Sequence, residues 1–233
     1  MSDRSVFPTT HATWLVTLVG DGADARGAGA SEARRHVMER YAAPLAVFVR
    51  GSSLSRLGDA DDLVHGFFAA RLSDAAFLAA WSRSGMRLRR WLMNGMLFYG
   101  QGVARDRARE AQRGSFVEPA ALEQRLDGGA SAEADFERAW ALAMVREATA
   151  RAEDALRTEG RSEDFEIFRR HAIDGRPYGQ FARDFGRTEQ QCAGATRLVA
   201  QRVRAALAEL LREEGVPDAE LDAELARVRS VLG

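Results

Sequence analysis

The spacing of apolar residues is the feature that most restricts what this chain can fold into. Apolar side chains recur three and four positions apart over most of the sequence, which is typical of amphipathic helices. Val and Ile do not alternate with polar residues, and no Asn-Gly or Asp-Gly dipeptide joins two alternating runs, so strand signals are almost absent. The pattern therefore predicts an all-α fold. Helices are expected over residues 31–50, 59–72, 74–81, 87–110, 136–157, 165–173, 178–184, 188–212 and 218–231.

Charge is segregated along the chain, although the formal net charge is only −1 and every one of the 33 basic residues is arginine. Residues 31–113 carry a net charge of +6 and residues 169–212 carry +5, whereas residues 114–168 carry −7 and residues 213–233 carry −4. Binding to nucleic acid depends on the local field at a surface rather than on the net charge. The two basic helical blocks therefore favour a nucleic-acid partner, and Gly and Pro residues near the block edges favour two small domains.

The sequence lacks the signals that are typical of several other classes of protein. No stretch approaches eighteen uninterrupted apolar residues, and the single cysteine, Cys192, is compatible with a reducing compartment. We therefore expect a cytoplasmic protein with no membrane partner, in which Cys192 is a buried core residue. The four histidines have no metal-ligand spacing, and no nucleophile elbow, P-loop or paired-histidine motif is present. We expect no enzyme activity, no metal and no cofactor.

The segment Tyr178–Ala195 predicts a helix-turn-helix. Gly186 stands where the tight turn favours a left-handed backbone, and Ala182 is small where the two helices must approach closely. Thr188, followed three residues later by Gln191, indicates a capping box at the start of the second helix. Four residues are expected to form the buried faces of the two helices: Phe181, Phe185, Cys192 and Ala195.

The start of the second helix in such a motif enters the major groove of DNA. Gln can bond adenine in two places, and Arg can do the same with guanine. The candidates for contacts to base edges are Arg187, Glu189, Gln190, Gln191 and Arg197. The alternative is an ordinary helical hairpin that binds nothing.

Arginine and aromatic residues are interleaved over residues 83–113, where Arg87, Arg89 and Arg90 stand beside Trp91. Cations that track a backbone and rings that accept a stacked base suit single-stranded DNA. The alternative is a buried aromatic stripe below a solvated arginine face, and we expect core packing for Trp91 and Phe98, which are seven residues apart. Three glycines predict that this helix bends or frays: Gly95, Gly100 and Gly102.

Five segments in order along the chain resemble the extracytoplasmic-function type of bacterial RNA polymerase sigma factor. The opening is similar to that of the subgroup abundant in planctomycetes, and the segment Phe136–Leu142 resembles the entry of that subgroup into sigma region 4. The segments are Thr9–Trp14 with Gly20–Gly22, Gly58–Leu72, Arg87–Leu92, Phe136–Leu142 and the helix-turn-helix described above. The acidic tail Asp218–Leu232 has a counterpart in the same subgroup.

The resemblance implies two helical domains joined by a flexible linker. It divides the chain into an N-terminal extension (1–30), a region 2-like helical domain (31–111), a linker (112–134), a region 4-like helix-turn-helix domain (135–212) and an acidic C-terminal helix (213–233). The partners that it implies are core RNA polymerase, bound through its clamp, and promoter DNA, with an anti-sigma or other regulatory protein as a further candidate.

The resemblance also assigns roles to residues of both domains. It implies that Asp61, Asp62, His65 and Phe68 contact the polymerase. It implies that Arg87, Arg89, Arg90 and Asn94 work near the −10 promoter element. It implies that Arg187, Thr188, Gln190, Gln191 and Arg197 read the −35 element.

The function expected from this resemblance is that of a sigma factor, which binds core polymerase and directs promoter recognition and transcription initiation. The alternative is a diverged sigma-like protein that acts as a protein-interaction or regulatory module and no longer opens promoter DNA. The glycines at positions 95, 100 and 102 motivate that alternative.

Overall fold

The computed structural model describes residues 28–72, 74–114 and 128–233. Within these ranges the protein contains eight α-helices and no strand, which confirms the all-α prediction. The helices are α1 (Ala28–Gly51), α2 (Ala60–Arg71), α3 (Ala75–Ser84), α4 (Leu88–Gly114), α5 (Ala130–Thr158), α6 (Ser162–Phe168), α7 (Glu189–Glu213) and α8 (Leu221–Leu232). A π-helical turn (Arg169–Ile173) continues α6, and 3-10 turns cover Ser53–Leu57, Tyr178–Gln180, Ala182–Phe185 and Asp218–Glu220.

Some expectations fall wholly or partly outside the described residues. They are the opening motif with most of the N-terminal extension, and residues 115–127 of the expected linker. Residues 130–134, which were also assigned to the linker, form the first turn and a half of α5 instead.

The chain divides into two compact units. The first unit takes in the described residues up to Ala141, together with Glu213–Gly215 and Ser230–Gly233. The second unit takes in Leu142–Arg212 and Val216–Arg229. Helix α5 therefore contributes its first twelve residues to the first unit and the rest to the second.

The helices of the first unit begin and end at residues suited to these positions. The Asp59 side chain caps α2 by accepting hydrogen bonds from the backbone N–H groups of Asp61 (2.9 Å) and Asp62 (3.1 Å). Asp74 caps α3 in the same way, and α3 ends at Gly85 in the left-handed conformation (φ 66°). The core between these helices is aromatic and aliphatic: Tyr41, Leu45, Phe48, Phe67, Phe68, Leu92, Met96, Phe136 and Trp140.

Helix α4 is one uninterrupted helix, so the expectation that it frays at its glycines is wrong. A Cβ atom at Gly95 would lie 3.0 Å from the ring of Phe77 and 3.2 Å from that of Phe67. A Cβ atom at Gly100 would collide with the side chain of Leu54. These glycines therefore let neighbouring side chains approach the helix closely, and the packing outweighs their poor helix propensity.

A buried polar network also belongs to the first unit. Arg40 donates a hydrogen bond to Glu214 at 2.7 Å and lies 3.4 Å from Glu213. The Tyr41 hydroxyl donates to the other oxygen of Glu214, and burial, reinforced by the negative charge of Glu214, raises the pKa of Tyr41. Because each buried polar group has a partner, the network anchors Glu213–Gly215 in this unit.

The second unit departs from the expected helix over residues 178–184. Two 3-10 turns replace it, with Phe181 between them at φ −140°. The backbone N–H of Phe181 bonds the carbonyl of Tyr178 (3.0 Å) and that of Asp184 bonds the carbonyl of Phe181 (3.0 Å), which is the tighter 3-10 pattern. The Phe181 ring is completely buried, so its packing dominates over the local preference for an α-helix.

Candidate functional site

The turn before α7 and the start of α7 have the geometry that the sequence indicated. Gly186 ends the preceding 3-10 turn in the left-handed conformation (φ 62°). The backbone N–H of Thr188 donates to Gln191 Oε1 at 2.8 Å, and the N–H of Gln191 donates to Thr188 Oγ1 at 3.2 Å. This reciprocal pair confirms the capping box, and it engages both side chains in holding the helix end.

The buried faces of the motif are confirmed. Ile167, Phe181, Ala182, Cys192 and Ala195 form one cluster, and Phe185 packs against it. Burial raises the pKa of the Cys192 thiol, which keeps it neutral at ordinary pH and fits the expected core role.

Arg187 lies in the turn before α7, and its guanidinium pairs with two acidic residues of α6. Its Nη1 lies 2.5 Å from Asp164 Oδ1, and its Nη2 lies 3.4 Å from Glu163. Asp164 also accepts a hydrogen bond from Arg161 Nε at 2.7 Å and is only 3% exposed. Burial raises the pKa of Asp164, but the hydrogen bonds from the two arginines outweigh it and hold that pKa below its ordinary value. Arg187 is therefore a partner of a buried carboxylate in this conformation.

The outward side of α7 carries a line of polar residues. On an α-helix, residues seven positions apart differ by only about 20° around the helix axis. Residues three or four positions apart also lie on the same side of the helix. We call this line the outer stripe: Gln190, Gly194, Arg197, Gln201 and Arg204.

The outer stripe is open along its length. Its four polar side chains are exposed, and a Cβ atom at Gly194 would meet nothing within 4 Å. Arg197 has no ion-pair partner among the described residues, whereas Arg204 pairs with Asp222 at 2.9 Å. Gln190 and Arg197 are thus predicted DNA contacts that the structure leaves available, and Glu189, another exposed candidate, lies beside them at the start of α7.

In the first unit the predicted arginines have different surroundings. Arg89 is 4% exposed, with its Nε 3.0 Å from Glu137 and its guanidinium 4.2 Å from the centre of the Trp140 ring. A side chain held in this way cannot reach DNA without unfolding its surroundings, so the structure corrects the role expected for Arg89. Arg90 is exposed and pairs with Glu133 at 2.6 Å, and Arg87 is half-buried.

The first unit also has an apolar groove of about 520 Å³, which contains Asn94, the fourth residue expected near the −10 element. Phe98 is 64% exposed there, so the expectation that it packs in the core is wrong. The indole N–H of Trp91, a residue of the groove wall, has no acceptor among the described residues. The groove is lined by Arg71, Phe77, Met86, Trp91, Asn94, Gly95, Phe98 and Arg105.

The sequence missed Arg71, Phe77, Met86 and Arg105 as groove residues. Arg105 could have been found, since it follows Phe98 by seven positions on the same helix, as Phe98 follows Trp91. The other three precede α4 in the chain, and only tertiary packing brings them to the groove.

Three of the four residues expected to contact polymerase are exposed on α2. Asp61 lies 2.9 Å from Arg50, and the Nδ1 atom of His65 lies 2.7 Å from the carbonyl oxygen of Asp61. Asp62 is exposed beside them. Phe68 is 2% exposed and its ring centre lies 5.5 Å from that of Phe67 in the core, so the structure corrects its expected role as a contact residue.

The described residues contain neither a cluster of metal ligands nor a single helix that could span a membrane. No group of three or more His, Cys, Asp or Glu is arranged to hold a metal ion. In the same part of the chain, no single helix is both long and apolar enough to cross a membrane. Comparisons of the whole sequence and structure with known protein families, with curated proteins and with solved structures find no match.

Proposed function

We infer that the protein is a sigma factor, which binds core RNA polymerase and directs it to promoter DNA. The observation that carries this proposal is the start of α7: a left-handed glycine turn, a capped helix end and an open polar stripe. In a helix-turn-helix this end of the helix enters the major groove, and no buried group has to be exposed for that.

The second unit would read the −35 element through the outer stripe. The Gln190 amide can form two hydrogen bonds with adenine, and the Arg197 guanidinium can form two with guanine. Gly194 lies between them and carries no side chain that would hold the helix away from the base edges. Thr188 and Gln191 would act through the helix cap, and Arg187 through Asp164.

The first unit would bind the −10 element through its groove. Exposed aromatic rings accept unstacked bases, and cations beside them attract the backbone of the opened strand. Phe98 and Trp91 supply the rings, and Arg71 and Arg105 supply the charges. Arg87, Arg90 and Asn94 lie on or just before the same helix and would assist.

Core polymerase would bind the exposed side of α2. Asp61, Asp62 and His65 form a small polar surface there that is complementary to a basic partner. The capped start of α2 holds this surface rigid.

Run-off transcription tests this proposal. The chain is combined with core polymerase and fragmented DNA of the host, and we expect transcripts with discrete start sites that depend on the chain. Asp62→Ala should weaken binding to core polymerase, whereas Asp106→Ala, which removes an exposed carboxylate from α4 of the same unit, should not. Absence of both core binding and chain-dependent transcripts would contradict the proposal.

A second candidate function is a protein-interaction module that does not open DNA. It is favoured by the contacts that three expected contact residues make within the protein: Phe68 and Arg89 are buried, and Arg187 pairs with the buried Asp164. Recovery of a partner other than polymerase, together with no retention of DNA at low salt, would favour this candidate over the first.

A further inference from the structure

Two ion pairs join the acidic segment after α7 to α7 within the second unit, Arg204–Asp222 and Arg212–Asp218. Its buried residues Leu221 and Val228 hold α8 in place. Asp222, in the first turn of α8, lies 2.9 Å from Arg204 Nη2, at the far end of the outer stripe. An arginine of α7 is therefore paired with a carboxylate of the acidic tail at this end of the outer stripe.

We propose that Arg204 is a contact for the phosphate backbone of duplex DNA, and that Asp222 occupies it in the DNA-free protein as a substitute for phosphate. The proposal rests on the proposed function, since it extends the DNA-binding surface of α7. It also gives the acidic C-terminal helix a role, which is to weaken binding of duplex DNA to this surface.

The position of Arg204 explains why its partner would be backbone rather than a base. Gln190 and Arg204 are fourteen residues apart, or about 21 Å along the helix axis at 1.5 Å per residue. The major groove is only about 12 Å wide. When the start of α7 enters the groove, Arg204 lies beyond the base edges, where the backbone passes.

The Arg204–Asp222 pair is suited to exchange. Asp222 is 93% exposed and Arg204 is 63% exposed, so solvent and salt weaken their attraction. A phosphate offers more negative charge and more acceptor oxygens to the same guanidinium. Because α8 is held by its apolar residues, the Asp222 carboxylate can be neutralised without releasing the helix.

A second exposed pair on α7 provides a matched control. Arg202 pairs with Glu159 at 3.1 Å, and both side chains are partly exposed. Arg202 is two positions from Arg204 and points about 160° away from it around the helix axis, which is about 120° from the centre of the outer stripe. Neutralising Glu159 therefore removes one negative charge and frees one arginine, but on the wrong side of the helix for this DNA surface.

The experiment measures binding of the full chain to a fluorescent mixed-sequence DNA duplex as salt is varied. For Asp222→Asn we expect about two- to fivefold tighter binding, the range of one exposed ion pair. The plot of log affinity against log salt should steepen by up to about 0.9, the value for one additional phosphate. Glu159→Gln should change neither quantity, and Asp222→Asn should have no effect in an Arg204→Ala background.

Each other result has a distinct meaning. Equal gains from Asp222→Asn and Glu159→Gln would reduce the effect to net charge and overturn the inference. Binding by the unmodified chain with no gain from Asp222→Asn would also overturn it, while leaving the proposed function standing. If no variant binds duplex DNA, alone or with core polymerase, the proposed function and this inference both fail. Helix content and thermal midpoint of each variant check that α8 remains folded.

Discussion

Arg89 in the first unit and Arg187 in the second are both predicted DNA contacts, and both pair with a carboxylate. In the first pair the arginine is the buried member, whereas in the second pair it is the carboxylate. Arg89 is itself buried, against Glu137 and Trp140. In the other pair the carboxylate of Asp164 is the buried charge, and Arg187 remains 29% exposed.

The difference decides which arginine is free to leave its partner. If Arg187 turned away, Asp164 would still have Arg161 at 2.7 Å. If Arg89 turned away, a cation in the core would lose its principal acceptor. The first pair is therefore part of the fold, whereas the second is a surface contact anchored on a buried anion.

The largest effect that would test this comparison is that of Arg89→Ala. We expect the first unit to lose about 3–5 kcal/mol of unfolding free energy, because the change removes a buried guanidinium together with its ion pair to Glu137 and its contact with the Trp140 ring. Trp81, Trp91 and Trp140 all lie in the first unit, so the change in their fluorescence during urea unfolding reports on that unit. Arg90→Ala is the control, and its exposed pair with Glu133 should contribute less than about 1 kcal/mol. Equal losses from the two variants would contradict the distinction between them.

A smaller effect is expected at the buried anion of the second unit. Asp164→Asn should cost about 1–3 kcal/mol, because the two arginines bond different carboxylate oxygens and the amide replaces one of these oxygens with an NH₂ donor. Arg187→Ala should cost less, because Arg161 continues to satisfy Asp164. The measurement is circular dichroism during urea unfolding. A fall in the helix signal at urea concentrations where tryptophan fluorescence has not yet changed would report the lower stability of the second unit. A larger cost for Arg187→Ala than for Asp164→Asn would reverse our assignment of the anchor.

The sequence predicted the parts of the site that depend on neighbouring residues. The capping box of Thr188 and Gln191 and the buried positions Cys192 and Ala195 follow from spacing on one helix, because three- and four-residue intervals determine which side chains share a face. The left-handed turn at Gly186 is a local preference of the same kind.

The parts that the sequence did not predict depend on distant partners. The pairing of Arg89 with Glu137 cannot be predicted from neighbouring residues, because the two are 48 positions apart in the chain. Phe98 and Phe68 both lie on amphipathic helices, and only the packing of those helices decides that the first is exposed and the second buried. The role of Gly95 cannot be predicted from its neighbours in sequence, because the ring of Phe67 that packs against it belongs to a different helix.

Acid should weaken the second unit through two carboxylates paired with arginine. Hydrogen bonds from Arg169 and Arg170 lower the pKa of Glu166 to about 2, and Asp164 also has a lowered pKa. A lowered pKa in the folded state gives stability that is fully present above the unfolded-state value, near 4, and is lost as pH falls toward the folded-state value. We expect a constant urea midpoint from pH 7 to about 5 and a decline from about pH 4 downward. Glu166→Gln should flatten part of that decline, and an unchanged decline in Glu166→Gln and Asp164→Asn alike would contradict this origin.

The smallest effect on stability is expected for Phe98→Ala, and this is what makes Phe98 informative. A side chain that is 64% exposed contributes little packing, so the unfolding free energy should change by no more than about 0.5 kcal/mol. Phe68→Ala, on the buried side of α2, should cost about 3–5 kcal/mol.

If the groove accepts a base of the opened strand, Phe98→Ala should nevertheless reduce transcription from a duplex promoter, since stacking on an aromatic ring contributes about 1–3 kcal/mol per base. A template already melted around the start site should recover part of the loss, because its strands need not be opened. Unchanged transcription by a stably folded Phe98→Ala protein would separate the groove from DNA opening and leave α7 as the DNA surface supported by its geometry.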